Sequence, residues 1–525
     1  MRLRAPSEDR GVLISPVLDD LPALVERNRS LPRKAEILGQ PLVQLTTTAR
    51  PQLLAAALDY SARYRERSTL PELANLASAP LIVGGHQPQM FHPGVWLKNG
   101  VLDKLAKRTG GVALNLVVDG DTLKSAVLPV ISGTIEHPER HLVPFDALAG
   151  EVPFEERRIV DPAQFASFGH RAGSLLKSLV ADPWLNTAWP QVVERGRVTG
   201  NVGLAFAQSR HQLEGDWGWR TLELPQSDLA RLPIFAWFLA DVIARHEMLR
   251  DIYNRAIHDY RAANHVRSAN HPAAELAADA EGIELPLWIW TVEQPRRRRL
   301  FAARCNGGIE LTDRGVWQAT IPDPEVNPER AVGALLDLFP QGVKLRTRAL
   351  LTTMFARAFL ADLFIHGIGG AKYDTVTDTI IEHFYGLEPP GYALATGTLR
   401  LPIDRPRWSL AEVQNNVQQQ WRFRYHPEAF FAGNDVSPEV ERLLADKRAW
   451  IAEQPERGHG RDRQRALRSL NAELASRLGE TAERLNAEHV ELVERGRNEE
   501  LLGSREYPWP WYPRETLQNF LLAIR

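Results

Sequence analysis

Two apolar runs separated by a helical segment dominate the first part of the chain. The runs Leu81–Val83 and Val112–Val118 are typical of strands that are buried on both faces of a sheet. The intervening segment Val95–Lys107 carries apolar residues at helical spacing. This order predicts a β-α-β unit, in which ligands bind beyond the carboxyl ends of the parallel strands.

Glycines and aspartates follow these two predicted strands. Gly84 and Gly85 end the first run and open a loop that reaches Gly94, and Asp119 and Asp121 follow the second run. Because the carboxyl ends of parallel strands meet at one edge of a sheet, we expect the loop and both carboxylates to share a binding site. Helix capping or turn formation is the alternative role for the aspartates.

A second glycine-rich turn follows the short apolar run Asp362–Ile365. The sequence His366-Gly-Ile-Gly-Gly-Ala-Lys-Tyr-Asp leads into a helix predicted from about Tyr373 to Tyr385. Such a turn can present backbone N–H groups to an anion at the positive end of a helix. Lys372 in the first helical turn is electrostatically unfavourable, which favours a specific anionic partner. The glycine spacing matches neither the dinucleotide fingerprint nor the Walker motif, so a plain tight turn is the alternative.

The remaining periodicity predicts helices at both ends and a mixed region between them. Phe235–Ala263 reads as one long amphipathic helix, and Leu285–Val292 with Arg299–Ala303 reads as a β-hairpin. Two leucine-rich stripes on either side of Pro455-Glu-Arg-Gly-His-Gly predict an antiparallel helical hairpin of coiled-coil type. The predicted organisation is a helical segment over 1–75, an α/β core over 76–405 with insertions at about 125–335, a helical arm over 406–505, and a segment 506–525 that docks back on the core.

Composition narrows the class of protein. The chain has 525 residues, 44% hydrophobic and 24% charged, which is typical of a soluble protein with more than one domain. A net charge of −2 does not favour nucleic acid as a partner. The single cysteine, Cys305, excludes an internal disulfide and favours a reducing compartment. Asp19 and Asp20 interrupt any signal-peptide core, and Leu232–Ala244 is too short to span a membrane, so we expect a cytoplasmic protein.

Several other sequence features carry no chemistry on inspection. The histidines His258, His265 and His271 are irregularly spaced and lack cysteines or a nearby acidic pair, so no metal site is expected. The run Arg296–Arg299 reads as a solvated turn. No Gly-x-Ser-x-Gly elbow occurs, so a serine hydrolase has no support.

Three stretches, in matching order over most of residues 80–525, resemble one known family. They are Gly85-His-Gln-Pro-Gln-Met-Phe-His-Pro-Gly94 with Asp119-Gly-Asp121, Phe364-Ile-His-Gly-Ile-Gly-Gly-Ala-Lys-Tyr373 with Glu382-His-Phe-Tyr-Gly-Leu387, and Tyr512-Pro-Arg-Glu-Thr-Leu-Gln-Asn-Phe-Leu521. On these motifs the chain resembles the BshC family, the cysteine-adding enzymes of bacillithiol biosynthesis. The resemblance implies a Rossmann-like parallel-sheet core with connecting insertions, and a C-terminal antiparallel helical coiled-coil arm that forms a homodimer.

The resemblance also implies a reaction. The family's enzymes are expected to join the carboxyl group of cysteine to the amine of an amino-sugar conjugate, and this uphill step needs activation, with ATP and magnesium as the expected cofactors. The chain departs from the family pattern where substrate would bind. His86 stands in place of Gln and Gly120 in place of His, while Ile368, Gly370 and Lys372 replace Pro, Glu and Ala. The fold is therefore implied more directly than the substrate.

These observations define the candidate site and leave two functional classes open. The predicted catalytic residues are His86, Asp119, Asp121 and Lys372. The predicted substrate- or nucleotide-binding residues are Gly84, Gly85, Gln87, His92, Gly94, Gly367, Gly369, Gly370 and Tyr373, although His92 also fits a structural role between Phe91 and Pro93. The first class is an amide-forming ligase with small-molecule substrates. The second is a nucleotide- or sugar-phosphate-binding protein that kept the fold and the dimerising arm but lost or changed the reaction.

Overall fold

The computed structural model describes residues 4–72, 78–405, 408–431, 436–453 and 460–524. The chain divides into two compact units. The first consists of Met1–Val130, His141–Leu401 and Arg505–Arg525, and the second of Ile131–Arg140 and Pro402–Ser504. None of the helices formed by the described residues is long and apolar enough to cross a lipid bilayer.

The strands are β1 Gly11–Ser15, β2 Glu36–Ile37, β3 Gln40–Pro41, β4 Leu81–His86, β5 Val112–Val117, β6 Val127–Gly133, β7 Pro138–Pro144, β8 Leu222–Pro225, β9 Ala278–Asp279, β10 Gly282–Thr291, β11 Arg298–Cys305, β12 Gly308–Thr312, β13 Gln318–Ile321, β14 Val343–Thr347, β15 Leu363–His366 and β16 Tyr392–Thr398. The helices are α1 Leu21–Ser30, α2 Leu42–Ala62, α3 Pro93–Thr109, α4 Pro162–Leu176, α5 Leu185–Thr199, α6 Val202–Asp216, α7 Gln226–Leu229, α8 Pro233–Ala244, α9 His246–Ala263, α10 Pro328–Asp337, α11 Ala349–Phe355, α12 Ile368–Ala371, α13 Asp374–Tyr385, α14 Leu410–Tyr425, α15 Pro438–Ala452, α16 Gly460–Ser476, α17 Gly479–Leu502 and α18 Arg514–Leu522. A π-helical turn, Ala356–Leu360, continues α11.

A six-stranded sheet organises the first unit. Its strand order is β1-β16-β15-β4-β5-β8, and every pairing except that of β1 with β16 is parallel. The apolar residues of β4 and β5 are buried, as expected of parallel strands that are covered on both faces. This arrangement confirms the α/β prediction. Because β4 and β15 are neighbours, the loops that follow them leave the sheet side by side at its carboxyl edge.

The first of these strands is longer than the sequence predicts. It continues through both glycines to His86, with Gly84 opposite Asn115 and Ile365 of the flanking strands. A Cβ added at Gly84 would lie 3.1 Å from Leu102 Cδ1, so the missing side chain allows α3 to pack closely on the sheet. The prediction that the strand ends at these glycines is therefore wrong.

The predicted single helix Phe235–Ala263 is two helices, α8 and α9, which meet at Arg245. The Arg245 backbone leaves the helical region there, and its guanidinium pairs with Asp241 and donates to the Phe384 carbonyl. The same group lies 3.8 Å from the centre of the Phe384 ring. A tertiary contact with α13 thus breaks a helix that the apolar spacing alone would continue.

A second, antiparallel sheet with strand order β13-β12-β11-β10-β14 also belongs to the first unit. Strands β10 and β11 form the predicted hairpin, with a bulge between Leu285 and Trp288. Leucines and isoleucines of both sheets belong to one continuous apolar core. That shared core fixes the outer strands of the second sheet against the first sheet.

The second unit is mainly helical. Helix α14 packs on α17, and α15 packs on α16 around a small apolar core that includes Val440, Leu443 and Leu474. The downstream leucine stripe is interrupted between α16 and α17, where Leu478 adopts a non-helical conformation. Of the predicted breaker, residues 455–459 lie outside the described residues.

Candidate functional site

A cavity of about 680 Å³ lies at the carboxyl edge of the six-stranded sheet. Its volume is within the range of small-molecule sites, about 300–1,000 Å³. The loops after β4, β5 and β15 all contribute to its wall, together with the start of α3 and the outer face of the second sheet. The predicted residues that line the cavity are Gly85, His86, Gln87, His92, Gly94, Asp121, Gly367, Gly369, Gly370 and Tyr373.

Three predicted residues, all described by the structure, are not brought to the cavity lining. Gly84 is held within the sheet between β5 and β15. Lys372 follows the single-turn helix α12 and is exposed to solvent. Asp119 is buried behind the site, where it accepts hydrogen bonds from the backbone N–H and the hydroxyl of Ser227. Asp119 thus ties the loop after β5 to the start of α7 through a tertiary contact.

The first loop places a buried lysine beside a neutral histidine. Lys98, on the first turns of α3, donates from Nζ to the Gly85 carbonyl at 2.5 Å. Burial, together with the charge of Arg210, lowers the pKa of Lys98 to about 7. Burial, together with the charge of Lys98, lowers the pKa of His86 to about 3. His86 is therefore uncharged at neutral pH, whereas Lys98 is close to half protonated there, and a bound anion would favour its charged form.

His92 has a structural role at the start of α3 and still lines the cavity. Its Nδ1 accepts from the Gly94 backbone N–H at 3.1 Å, which caps the helix. Burial, together with the nearby Arg505, lowers the pKa of His92 to about 3, as suits an accepting imidazole. A Cβ at Gly94 would lie 2.0 Å from the Gly397 carbonyl oxygen, so only glycine lets α3 approach β16 this closely.

The second loop holds a histidine in a buried hydrogen-bonded chain. His366 Nε2 lies 2.8 Å from Asp374 Oδ2, and Arg357 Nη1 donates to the same oxygen at 2.7 Å. Burial would raise the pKa of Asp374, but His366 and Arg357 outweigh it and hold that pKa below its usual value. Because an ionised carboxylate only accepts, Nε2 of a neutral His366 carries the hydrogen, and its Nδ1 lone pair remains for a ligand.

The position of the His366 ring requires a glycine at position 370. A Cβ at Gly370 would lie 2.7 Å from His366 Nδ1, and the ring cannot move away without leaving Asp374. The helix predicted from about Tyr373 to Tyr385 is confirmed as α13, Asp374–Tyr385, and the single turn α12 precedes it. The Asp374 carboxylate, at the first position of α13, occupies the positive end of that helix and binds His366. This helix end is therefore not available to an anionic ligand.

The opposite wall of the cavity carries arginines stacked on an indole ring. The guanidinium carbons of Arg297 and Arg348 lie 4.9 Å and 4.2 Å from the centre of the Trp288 ring. Arg348 also pairs with Glu284 at 2.7 Å. Arg297 pairs with Asp121 at 2.8 Å. The interpretation of Arg296–Arg299 as a solvated turn is therefore wrong for Arg297, whose side chain is 19% exposed.

These contacts test whether nucleotide and metal fit the residues present. Lys98, Arg297 and Arg348 line a cavity large enough for a nucleotide, and their charge suits phosphate groups. Asp121 is already engaged by Arg297 and by Gln87 Nε2. Within the described ranges, no group of three or more histidine, cysteine or acidic side chains is placed to share a metal ion. The donor set thus fits a nucleotide's phosphates and does not fit a protein-held magnesium ion.

The buried Asp119 predicts a measurable pH effect on stability. Burial and the neighbouring Glu155 raise the pKa of Asp119 from 3.8 to about 7. Between these values the folded state binds more protons than the unfolded state, so this group's contribution to stability is lost as the pH rises toward 7. The free energy of unfolding of Asp119→Asn minus that of the wild type should therefore rise with pH, by up to about 1.4 kcal/mol per pH unit in this window. Urea unfolding at pH 5, 6, 7 and 8 measures the difference, and parallel curves would contradict it.

The residues that sequence reasoning missed are Lys98, His366 and the stacked arginines. His366 had a usable signal, because a histidine directly after a predicted parallel strand lies at the ligand edge. Lys98 had a weaker one, as a charge within the otherwise apolar first turns of a buried helix. The two arginines reach the cavity because the two sheets pack together, and no sequence signal identified them. No family model matches this chain, and a search of curated proteins finds no significant match.

Proposed function

We propose that the chain is a carbon–nitrogen ligase of the BshC type, which joins the carboxyl group of an amino acid to the amine of an amino-sugar conjugate or similar small molecule. One observation carries the proposal: a single cavity contains a buried lysine, Lys98, and a histidine whose partner Asp374 holds it as a base. Amide formation needs both groups, because an oxyanion develops on the carboxyl carbon and the attacking amine must lose a proton.

Each residue has a defined task in this reaction. The Lys98 ammonium and the guanidiniums on Trp288 hold the negative oxygens of the carboxyl and phosphate groups. A bound nucleoside triphosphate would activate the carboxylate by transferring a phosphate-containing group to one of its oxygens. As the amine nitrogen bonds to the carboxyl carbon, the bond from that carbon to the phosphate-bearing oxygen breaks and the phosphate-containing group leaves, while His366 Nδ1 takes the amine proton and Asp374 stabilises the resulting imidazolium. Gln87 Nε2 donates to Asp121 Oδ2 at 2.9 Å, and this hydrogen bond connects the loop after β4 to the loop after β5.

The proposal extends to the whole chain. It includes a Rossmann-like identity for the six-stranded sheet, supported by a cavity at its carboxyl edge. It includes a coiled-coil identity for the second unit, supported by the packing of α15 on α16, and a homodimer formed through that unit. A cytoplasmic setting is supported by the single cysteine, and the small net charge gives no reason to add nucleic acid as a partner.

The direct test is product formation by the purified full chain. Cysteine, ATP with magnesium and a panel of amines, glucosaminyl conjugates among them, are incubated together. We expect a product whose mass equals the two substrates less one water, formed only with nucleotide. Lys98→Met should lower the rate by about 10²–10³-fold, because one oxyanion-stabilising group is lost. The control is the exposed Lys124→Met, which should retain the rate.

Two outcomes would contradict the proposal. One is nucleotide or sugar-phosphate binding without any product, which would favour the binding-protein alternative. The other is an unchanged pool of low-molecular-weight thiols in a strain that lacks the gene, since loss of an enzyme that makes a cysteine-containing product should deplete that pool.

A further inference from the structure

A second cavity opens at the opposite edge of the six-stranded sheet. Leu81, the first residue of β4, and Asp362, directly before β15, line it together with α2 and the segment after α1. Its volume is about 490 Å³. The strands β4 and β15 run from this edge to the candidate site, a distance of about 13 Å for four residues. The proposed reaction uses no residue of this second cavity.

The charge of the second cavity is strongly unbalanced. Four basic side chains line it, against one carboxylate among the described lining residues, that of Asp362. The basic residues are Arg29, Arg33, Lys34 and Arg50. Arg33 and Arg50, whose side chains are 20% and 19% exposed, repel each other most strongly, whereas the charges of the exposed Arg29 and Lys34 are screened by solvent. A cavity of this kind is stabilised by an anion.

Asp362 cannot supply the missing negative charge. Its carboxylate already accepts from the Leu81 backbone N–H at 2.8 Å and pairs with Arg50. Arg33 reaches the same carboxylate only at 3.6 Å. Burial lowers the pKa of Arg33, and the charge of Arg50 adds to this effect against the opposing effect of Asp362. Two guanidiniums thus share one carboxylate. Arg29 pairs instead with the exposed Glu26 at 3.7 Å and donates to the Ser78 carbonyl at 3.0 Å, and so long and exposed a pair balances little of its charge.

The rest of the lining defines the shape of a ligand. The cavity opens onto the amino-terminal turns of α2, the positive end of a 21-residue helix. Thr46 and Thr47 lie on the same turns, and Leu53 and Phe359 give the deeper wall an apolar surface. A phosphate group matches this excess of positive charge better than one carboxylate does, because it carries up to two charges and suits arginine's donor geometry.

We propose that this second cavity binds a phosphate-bearing small molecule, a phosphate monoester or diphosphate. Its phosphate lies between Arg29, Arg33 and Lys34, and its less polar part packs on Phe359. The site is separate from the candidate active site, and a ligand there contacts the amino ends of the two strands that carry His86 and His366.

The test is calorimetric titration of the full chain with inorganic pyrophosphate at low ionic strength. Arg29→Gln/Lys34→Gln removes two lining cations and leaves the Asp362 contacts intact. We expect its affinity for pyrophosphate at this site to fall by about tenfold or more, since charge-assisted contacts are lost. The matched control is Arg27→Gln/Arg63→Gln, which makes the same charge change at exposed positions next to the cavity elements and outside the lining. The control should bind as the wild type does.

A third variant distinguishes pyrophosphate binding in the second cavity from binding in the candidate active site. Lys98→Met alters the candidate active site and should retain the pyrophosphate site described here. In the wild type, pyrophosphate should also slow hydrogen exchange in residues 43–50, a measurement that needs no variant. The proposal is overturned if the wild type does not bind, if both double variants bind equally, or if Lys98→Met alone abolishes binding.

Discussion

Arg210→Met is expected to lower the free energy of unfolding by about 3–5 kcal/mol, the cost of breaking a buried ion pair from one side. Arg210, on α6, is 3% exposed and pairs with both Glu214 and Glu223, which are fully buried. One oxygen of each carboxylate, Glu214 Oε2 and Glu223 Oε2, accepts no hydrogen bond. Without the guanidinium, two neighbouring carboxylates would remain in the core with too few donors.

The charge balance of this cluster explains why the arginine remains ionised. Burial alone would lower the pKa of Arg210, but Glu214 and Glu223 outweigh it and raise that pKa above its usual value. The pKa of Glu223 is raised by burial, against the opposing charge of Arg210. Trp96 Nε1 and Asn99 Nδ2 donate to Glu214 at 2.7 Å and 2.9 Å, so the cluster ties α3 to α6 behind the candidate site.

Urea unfolding monitored by circular dichroism measures the effect. Arg197→Met is the matched control, because Arg197 forms an exposed pair with Glu194 on the neighbouring helix α5, and its loss should leave the unfolding midpoint unchanged. Arg210→Met/Glu214→Gln/Glu223→Gln should recover most of the lost stability, since neutral amides keep the hydrogen bonds without the unpaired charge. A single variant as stable as the wild type would mean that the cluster is not the support described here.

The sheet could be predicted because its physics is local. Leu81–Val83 and, apart from Asn115, Val112–Val117 are apolar on both faces, and a sheet covered on both sides buries such segments. The convergence of two glycine-containing loops followed from the same rule, since adjacent parallel strands end at one edge. The strand limit at Gly84 failed because glycine there serves close packing against Leu102, which no local pattern reveals.

The chemistry of the site was harder to predict because it depends on tertiary contacts. The sequence predicts that Asp119 faces a ligand, but its carboxylate accepts a hydrogen bond from Ser227, which is more than one hundred residues away in the chain. Arg297 looked solvated until Trp288 and Asp121 were placed beside it. Lys98 reaches the cavity only because α3 packs so that its Nζ donates to the Gly85 carbonyl. Sequence spacing gives the edge of the sheet, and folding decides which side chains reach it.

His366→Gln is expected to lower kcat of the proposed ligase reaction by about 10²–10⁴-fold, with little change in KM, because general-base catalysis contributes about that factor. Glutamine can still donate an amide hydrogen to Asp374, so the buried contact with Arg357 is retained and the chain should fold normally. What is lost is the lone pair of Nδ1. The rate of product formation under saturating substrate, with the melting temperature as a check of folding, separates the two effects.

Two further variants decide whether the imidazole acts as a base or only as packing. Gly370→Ala should also lower kcat, since the new methyl would lie 2.7 Å from Nδ1 and turn the ring from Asp374. His383→Gln, at an exposed histidine of the helix that carries Asp374, should leave kcat unchanged. A His366→Gln enzyme with wild-type kcat would assign the base to another residue.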